Sequence, residues 1–468
     1  MISDVTLGHL PDGLKDRVQA WQNFVALRRD RLKFMETLAA RGEPFVKLDI
    51  SLYRVCVLFD PDDIKEILVN QTRKVHKGMG LERAKEVLGE GLLTAEGEAH
   101  LRQRRLVQPA FHKQRLRGYG ASMIECTQQY RAGLQDGQTR DMHTEMMRLT
   151  LSIVGRTLFD IDTSADADEI GECLHNFVKS FNFTMLPFYP LLRHFPLPQV
   201  RKIQATRAAL DRFIYRMIDE RRKSGRDHGD LLSMLIAATD GDGTGQTSLT
   251  DTQLRDECIT LLLAGHETTA NALTWTLFLL SQHPAVEARL LAEIDRVLGD
   301  RPPTIEDLPQ LSYCEQVVAE SLRLYPPAYA FARRAMEPIE LTHGRRIETG
   351  SLAIVPVRVI HRLPHFYPDP ERFDPDRFTP EARASRPRFA YLPFSHGPRN
   401  CIGEHFAWME AVLVLATLLQ RFQFRLAPGQ VVEPEPLITL RARHGMRMRI
   451  CDRWLPRTAS SGAPPPLS

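Results

Sequence analysis

The sequence predicts a mainly α-helical protein with a smaller β-rich region, and three observations support this fold class. Between residues 62 and 297, apolar residues recur every three or four positions, as they do on helices. Alternating apolar runs, which are typical of strands, occur at about 40–60 and 339–360. The chain has 468 residues, and its hydrophobic content of 43% is enough to bury a large core. We expect a single domain over residues 1–455 and a disordered tail over 456–468.

The predicted elements can be followed in chain order. A charged helical stretch over residues 17–40 leads into two apolar runs, 45–50 and 55–59, that form a predicted hairpin. A largely helical body comes next, and strands return over 339–359. The Pro-rich coil at 364–398 is long for a connection. Because long ordered loops in compact domains are usually functional, we expect chemistry where this coil ends.

Composition and charge exclude several classes of protein. The 61 basic and 58 acidic residues nearly balance, so the overall charge does not favour nucleic-acid binding. Seven cysteines without a Cys-x-x-Cys pair favour a reducing compartment over a disulfide framework. Residues 1–17 lack the apolar core of a signal peptide, and no apolar run reaches the roughly 20 residues that span a membrane. We therefore expect a cytoplasmic protein without a membrane anchor, and we expect it to be a monomer.

Cys401 lies where the coil ends and a helix, predicted over 404–422, begins. Unpaired N–H groups and the helix dipole are expected to lower the pKa of this thiol and to stabilise a thiolate, which favours O–O cleavage when bound to iron. Gly397 and Gly403 would let a flat cofactor approach the backbone closely. Two alternatives are a buried thiol without chemistry and a zinc site with His405. The neighbourhood offers no cysteine cluster to complete a zinc site.

A second candidate site lies within a helix predicted over residues 250–282, which is apolar on nearly every face. The polar sequence Ala-Gly-His-Glu-Thr-Thr begins at Ala264, and its burial would be costly without a role. Ala264 and Thr268 share a helix face, and Gly265 opens space for a ligand beside them. Glu267 and Thr268 could relay protons through water to bound dioxygen. In the alternative interpretation, Thr268 bonds to its own helix and Glu267 forms an ion pair.

Both motifs resemble those of the cytochrome P-450 family. The family's Cys-loop pattern, Phe-x-x-Gly-x-Arg-x-Cys-x-Gly, is matched at every fixed position by residues 394–403, and its oxygen-binding pattern by residues 264–269. The resemblance implies a cytochrome P-450 fold with haem b between the oxygen-binding helix and the Cys-loop helix. It implies that Cys401 is the iron ligand and that Glu267 and Thr268 act as acid and alcohol. His266 stands at a variable position and is given no role.

The resemblance also implies roles for residues around the haem. The residues implied to bind the haem propionates are His100, Arg104, Arg333 and Arg399, with Arg334 as the alternative to Arg333. Further haem contacts are implied for Ala264, Gly265, Phe394 and Gly403. A structural brace is implied for Glu320, Arg323 and Arg377. The substrate pocket is implied to contain Phe183, Met185, Ala328, Tyr329 and Phe331. For the charged residues the alternative is a solvated surface position, and for the aromatic residues it is core packing.

The function implied by the resemblance is that of a monooxygenase that inserts one oxygen atom of O2 into a hydrophobic small molecule. The substrate would be a fatty acid, terpenoid, steroid or polyketide of secondary metabolism, which is hydroxylated or epoxidised. One alternative is a haem-thiolate peroxygenase or isomerase, which commonly lacks the acid–alcohol pair that Glu267 and Thr268 supply. Another is a non-enzymatic haem gas sensor, which usually carries an output domain.

A basic stripe over residues 102–117 stands out in a chain whose charges otherwise balance. Such a stripe is commonly just a solvated face. In the family that the sequence resembles, however, the corresponding helix lies where an acidic electron donor docks. We expect ferredoxin or flavodoxin, served by an NAD(P)H-dependent reductase, to bind here. A fused reductase is not expected, because too few residues follow Cys401 to form one.

Overall fold

Helices dominate the computed structural model, which describes residues 12–163, 167–240 and 249–454. The predicted tail at 456–468 lies outside these residues. The α-helices are α1 Asp12–Arg29, α2 Arg31–Ala39, α3 Pro61–Lys65, α4 Met79–Leu88, α5 Gly97–Val107, α6 Lys113–Ala132, α7 Met142–Leu158, α8 Ala167–Thr184, α9 Tyr189–Leu192, α10 Pro198–Ser224, α11 Leu231–Asp240, α12 Asp251–Gln282, α13 Pro284–Leu298, α14 Ser312–Leu324, α15 Val357–Ile360, α16 Pro380–Ala384 and α17 Glu404–Leu419.

The strands form one larger sheet and several small ones. They are β1 Phe45–Ile50, β2 Tyr53–Leu58, β3 Val75–Lys77, β4 Thr139–Asp141, β5 Phe331–Ala335, β6 Ile339–Glu340, β7 Arg346–Ile347, β8 Leu352–Val355, β9 Phe422–Leu426, β10 Pro434–Pro436, β11 Leu440–Ala442 and β12 Arg447–Asp452. The five-stranded sheet has the order β1-β2-β8-β5-β3, and a three-stranded sheet has the order β4-β12-β9. Two-stranded sheets pair β10 with β11 and β6 with β7.

The predicted fold class is confirmed, and the two predicted β-rich regions correspond to β1–β2 and β6–β8. The sequence patterns missed β3, β5 and the C-terminal strands; among these, β3 pairs with β5 and β12 pairs with β4, and the two members of each pair are distant in the chain. The helical stretch predicted over 17–40 is divided at Asp30, whose side chain caps α2 by accepting a hydrogen bond from the Lys33 N–H.

The core consists of a large cluster among the helices and a smaller one beneath the five-stranded sheet. Helix α12 runs through the larger cluster and is buried on nearly all sides. It begins with the predicted capping box: the Thr250 hydroxyl accepts from the Gln253 N–H at 3.2 Å, and the Gln253 side chain accepts from the Thr250 N–H at 3.0 Å. No described helix is long and apolar enough to cross a membrane.

Helix α12 packs on α7, α14 and α17. The long coil before α17 contains short helical turns at Pro375–Phe378 and Arg388–Ala390, and it ends in the loop that carries Cys401. This packing places the Cys401 loop opposite the middle of α12, and the two predicted motifs therefore meet at one site.

Candidate active site

The loop before α17 is held by its own backbone. The Cys401 N–H donates to the Phe394 carbonyl at 3.0 Å, and the Asn400 N–H donates to the Gly397 carbonyl at 3.0 Å. Gly397 has φ +81°, and a Cβ there would lie 2.0 Å from the Leu68 carbonyl oxygen. Glycine at 397 is therefore required by the protein's own backbone. A Cβ at Gly403 would meet nothing closer than 3.7 Å.

Cys401 is exposed to the cavity, but the surrounding protein disfavours its charged form. Desolvation raises the pKa of its thiol to about 11, although the Gly403 N–H and the charge of Arg104 act in the opposite direction. The prediction of a lowered thiol pKa is therefore wrong for the protein without a metal, because the loss of hydration outweighs the helix N-terminus. Binding of a metal ion displaces a thiol proton, so the thiolate forms together with the metal bond.

A cavity of about 660 Å³ joins the Cys401 loop to α12. The predicted residues that line it near α12 are Ala264, Gly265, Glu267 and Thr268, and those near the loop are Phe394, Arg399, Cys401 and Gly403. Of the predicted substrate-pocket residues, Met185, Ala328, Tyr329 and Phe331 line the cavity. Phe183 is not among the lining residues; it packs edge-to-face on Tyr189 at 5.7 Å, and Phe181 lines the cavity in its place.

Cationic side chains collect at one part of the cavity wall. They are Lys77, Arg104, Arg333 and Arg399, and the imidazole of His100 lies among them. Glu96 pairs with Arg399, and no other carboxylate in the described ranges forms an ion pair with any of the five. Burial lowers the pKa of Lys77 to about 7, of Arg333 to about 10 and of His100 to about 4, and neighbouring cations contribute to each decrease. Because unpaired positive charge is unfavourable in a buried site, this part of the wall is suited to an anionic ligand.

Arg333 and Arg334 are neighbours on β5, and their side chains point in opposite directions. Arg333 is buried against the cavity, whereas the Arg334 guanidinium forms a two-point ion pair with Glu82 at 2.8 and 2.9 Å, away from it. Arg104 lines the cavity but binds the Cys401 loop, since its two Nη atoms donate to the Asn400 carbonyl and side chain at 2.8 and 2.7 Å. Lys77 was not predicted, because a lone lysine in a short strand carries no recognisable pattern.

In the polar cluster of α12, Thr268 bonds to its own helix and Glu267 forms an ion pair, as the alternative interpretation of the sequence described. The Thr268 hydroxyl donates to the Ala264 carbonyl at 2.8 Å. The Glu267 carboxylate forms a buried ion pair with Arg441, whose Nη2 lies 2.8 Å from Oε1, and the Thr439 hydroxyl also donates to Oε1. No described residue bonds to the second oxygen, Oε2. Because Glu267 and Thr268 also line the cavity, both groups remain within reach of water or ligand there.

Residues of the C-terminal strands thus complete the site, and the sequence did not reveal them. Thr439 also accepts from the Asn271 side chain at 3.2 Å, so that α12 and the start of β11 share one buried polar network. Thr439 and Arg441 carry no motif, and the chain folds them onto Glu267 from a distant segment.

The three residues of the implied brace come together between α14 and the turn Pro375–Phe378. Arg323 and Glu320 are fully buried and form a two-point ion pair at 2.7 and 2.8 Å. Arg323 also donates to the carbonyls of His361 and Pro370 at 2.9 and 2.7 Å. The Arg377 Nε lies 3.6 Å from the Glu320 carboxylate.

The residues present fit a haem. An apolar cavity has a cysteine at one wall, the polar cluster of a buried helix at the facing wall, and a surplus of cations where two carboxylates could be neutralised. This combination defines a haem-thiolate protein.

The chain belongs to the cytochrome P450 family, because a sequence model of that family, described as "Cytochrome P450", matches residues 11–443. It is accordingly a monooxygenase with haem b as its cofactor, as the two motifs predicted. The heme domain of cytochrome P450DA has a similar crystal structure, with a TM-score of 0.80 and 29% sequence identity over 90% of this chain and 93% of that chain.

Three of the curated relatives come from Streptomyces. Cyclooctatin synthase of Streptomyces melanosporofaciens is 40% identical over 89% of this chain and 90% of its own length. Cyclooctat-9-en-7-ol 5-monooxygenase of the same organism is 37% identical over 86% of this chain and 87% of its own length. Pentalenene oxygenase of Streptomyces avermitilis is 34% identical over 93% of this chain and 95% of its own length.

Proposed function

We propose that this monooxygenase inserts one oxygen atom of O2 into a terpenoid, with electrons supplied by a separate ferredoxin or flavodoxin. The observation that carries the proposal is that one largely apolar cavity joins Cys401 to Glu267 and Thr268. The named relatives act on terpenoids, and an apolar wall suits such a substrate. Among the substrate classes that the sequence left open, terpenoids are therefore favoured.

In this proposal, some residues of the cavity wall bind the cofactor and others bind the substrate. When bound, haem b supplies the iron at which dioxygen is activated. Cys401 provides the thiolate ligand, and the cationic side chains neutralise the cofactor's carboxylates. Met185, Ala328 and Phe331 hold the substrate through apolar contact and exclude water.

Proton delivery is assigned to α12. Arg441 and Thr439 hold Glu267 through Oε1, which leaves Oε2 to exchange a proton with water in the cavity. The Thr268 hydroxyl can give up its bond to the Ala264 carbonyl and pass a proton to water or ligand on the cavity side.

Turnover under labelled dioxygen tests the proposed reaction. Purified protein, a surrogate ferredoxin with its reductase, NADPH and a panel of terpenoids should yield a product that carries one 18O atom from 18O2. A product that forms with hydrogen peroxide alone, and not with NADPH and reductase, would instead indicate the peroxygenase. Binding of O2 without any product across the panel would favour the gas sensor.

Replacing Thr268 by Ala should uncouple NADPH consumption from product formation. We expect the product formed per NADPH to fall about tenfold, with peroxide released instead, since a positioned proton donor contributes on the order of 10² or more in rate. The matched control is Thr274→Ala, because the Thr274 hydroxyl makes the same kind of bond, to the Ala270 carbonyl at 2.7 Å, away from the cavity. Unchanged coupling in Thr268→Ala would remove Thr268 from proton delivery.

The electron donor is proposed to dock on the side of the loop that faces away from α12. A smaller cavity of about 180 Å³ lies there, lined by Arg104, His112, Asn400, Cys401 and His405 among others. Arg105 and Arg117 of the basic stripe are exposed nearby in the chain, whereas Arg115 is half-buried. An acidic partner that docks over this smaller cavity would therefore contact positively charged side chains close to Cys401.

Charge reversal of the exposed arginines tests this docking surface. Arg105→Glu with Arg117→Glu should slow reduction by an acidic ferredoxin about tenfold at low salt and weaken its salt dependence, because steering is lost. Arg17→Glu with Arg41→Glu changes the charge by the same amount at exposed positions on α1 and beyond the end of α2 and should leave the rate unchanged. Stopped-flow reduction measures both, and equal rates in the two variants would contradict the assignment.

A further inference from the structure

The end of the cavity next to α2 carries polar side chains of its own, apart from the cationic group and the polar cluster of α12. Arg31, the first residue of α2, lines it together with Arg28, one turn earlier in the chain. Arg31 Nη1 donates to the Tyr329 hydroxyl at 2.7 Å and to the Pro436 carbonyl at 3.1 Å, and Nη2 donates to the Asn182 side chain at 3.2 Å. Arg28 donates to the Asn182 carbonyl at 2.9 Å. All of these acceptors are neutral.

The charge of Arg31 has no carboxylate partner within the described ranges. This distinguishes it from Arg358, which lines the same cavity and pairs with Glu36 of α2. The Nε–H and the second Nη2–H of Arg31 also bond to no described residue. The positive charge of Arg31 is therefore unpaired among the described residues, and two of its N–H groups are available to bind a ligand.

Arg31 is also held in place. The buried Tyr329 hydroxyl accepts from Arg31 and donates to the Leu437 carbonyl at 2.8 Å, so its orientation is fixed by two bonds. The remaining contacts of Arg31 come from α8 and from β10. A guanidinium fixed from three sides loses little freedom when it binds a further acceptor, which makes it an effective recognition group.

We infer that Arg31, oriented by Tyr329 and flanked by Arg28, binds an acceptor oxygen of the substrate. The substrate is then an apolar molecule that already carries a hydroxyl, carbonyl or carboxylate oxygen, rather than a bare hydrocarbon. This inference rests on the proposed function, for which it names the substrate class. The anchored oxygen would also determine which carbon lies near the Cys401 end of the cavity.

Ligand titration of the ferric protein tests the inference without electrons or dioxygen. The probes are dodecanoate, 1-dodecanol and dodecyltrimethylammonium, which share a chain length and differ in the head group. The spin-state shift of the Soret band should give Kd values at least about tenfold lower for the two oxygen-bearing probes, since hydrogen bonds to a charged group are stronger than those between neutral groups. Tighter binding of dodecanoate than of 1-dodecanol would indicate that the substrate oxygen is anionic. Equal binding of the two probes would indicate that it is neutral.

Variants separate recognition from structural support. Arg31→Met should abolish the preference over the ammonium probe, Tyr329→Phe should reduce it, and Arg31→Lys should retain part of it. Arg29→Met is the matched control, because Arg29 is exposed and not among the lining residues. The carbon monoxide spectrum verifies haem content in each variant.

Two results would overturn the inference. One is a wild-type protein that binds the ammonium probe as tightly as dodecanoate and 1-dodecanol. The other is an Arg31→Met variant that weakens all three probes by the same factor, which would make Arg31 a structural clamp only. Neither result depends on turnover, so both are distinguishable from failure of the monooxygenase proposal, which the labelled-dioxygen experiment reports.

Discussion

Cys401→Ser is expected to abolish the red-shifted Soret band of the reduced carbon monoxide complex, and turnover with it. A serine hydroxyl keeps its proton at neutral pH and is a harder donor than a thiolate, so it cannot replace the sulfur as an electron-rich iron ligand. The substitution removes one sulfur atom from the cavity wall and leaves the backbone bonds of the loop available.

The control for this prediction is Cys451→Ser, at a half-buried cysteine of β12 that does not line the cavity. This variant should keep the red-shifted band and normal haem content. Both variants are measured as dithionite-reduced carbon monoxide difference spectra. If Cys401→Ser retained the red-shifted band, another residue would have to bind the iron.

Glu320→Ala should cause the largest loss of stability among the substitutions considered, about 3–5 kcal/mol, because it leaves the buried Arg323 without its carboxylate. The loss should extend to the Cys401 loop. Arg323 donates to the His361 carbonyl at 2.9 Å, and the His361 Nε2 accepts from the Leu392 N–H at 2.8 Å. Leu392 lies shortly before the loop, so loosening of the brace should lower haem retention.

Guanidinium unfolding and the haem content of purified protein measure this effect. Glu315→Ala on the same helix is the matched control, since Glu315 is exposed and pairs with Arg383 at the surface. It should change neither quantity appreciably. A Glu320→Ala protein with normal haem content and an unchanged unfolding midpoint would show that the buried pair does not support the loop.

Local patterns predicted those parts of the fold whose causes are local. The capping box of α12, its apolar faces and the start of α17 after the Cys401 loop follow from spacing within a single segment. The C-terminal strands are different, because β11 has only three residues and β12 also pairs with β4, far earlier in the chain. The ion pair of Glu267 with Arg441 could not be predicted either, because it joins α12 to β11, which lies far along the chain.

By itself, the sequence determined the chemistry of this protein: the Cys401 loop and the Ala264–Thr269 cluster are short motifs whose residue types specify a haem-thiolate oxygenase wherever they fold together. Only the tertiary structure decided which side chains face the cavity and in what state. It placed Arg333 inside and Arg334 outside, replaced Phe183 by Phe181, and raised the pKa of the Cys401 thiol to about 11. The physical reason is that orientation, desolvation and charge pairing depend on neighbours from distant segments, which no local pattern records.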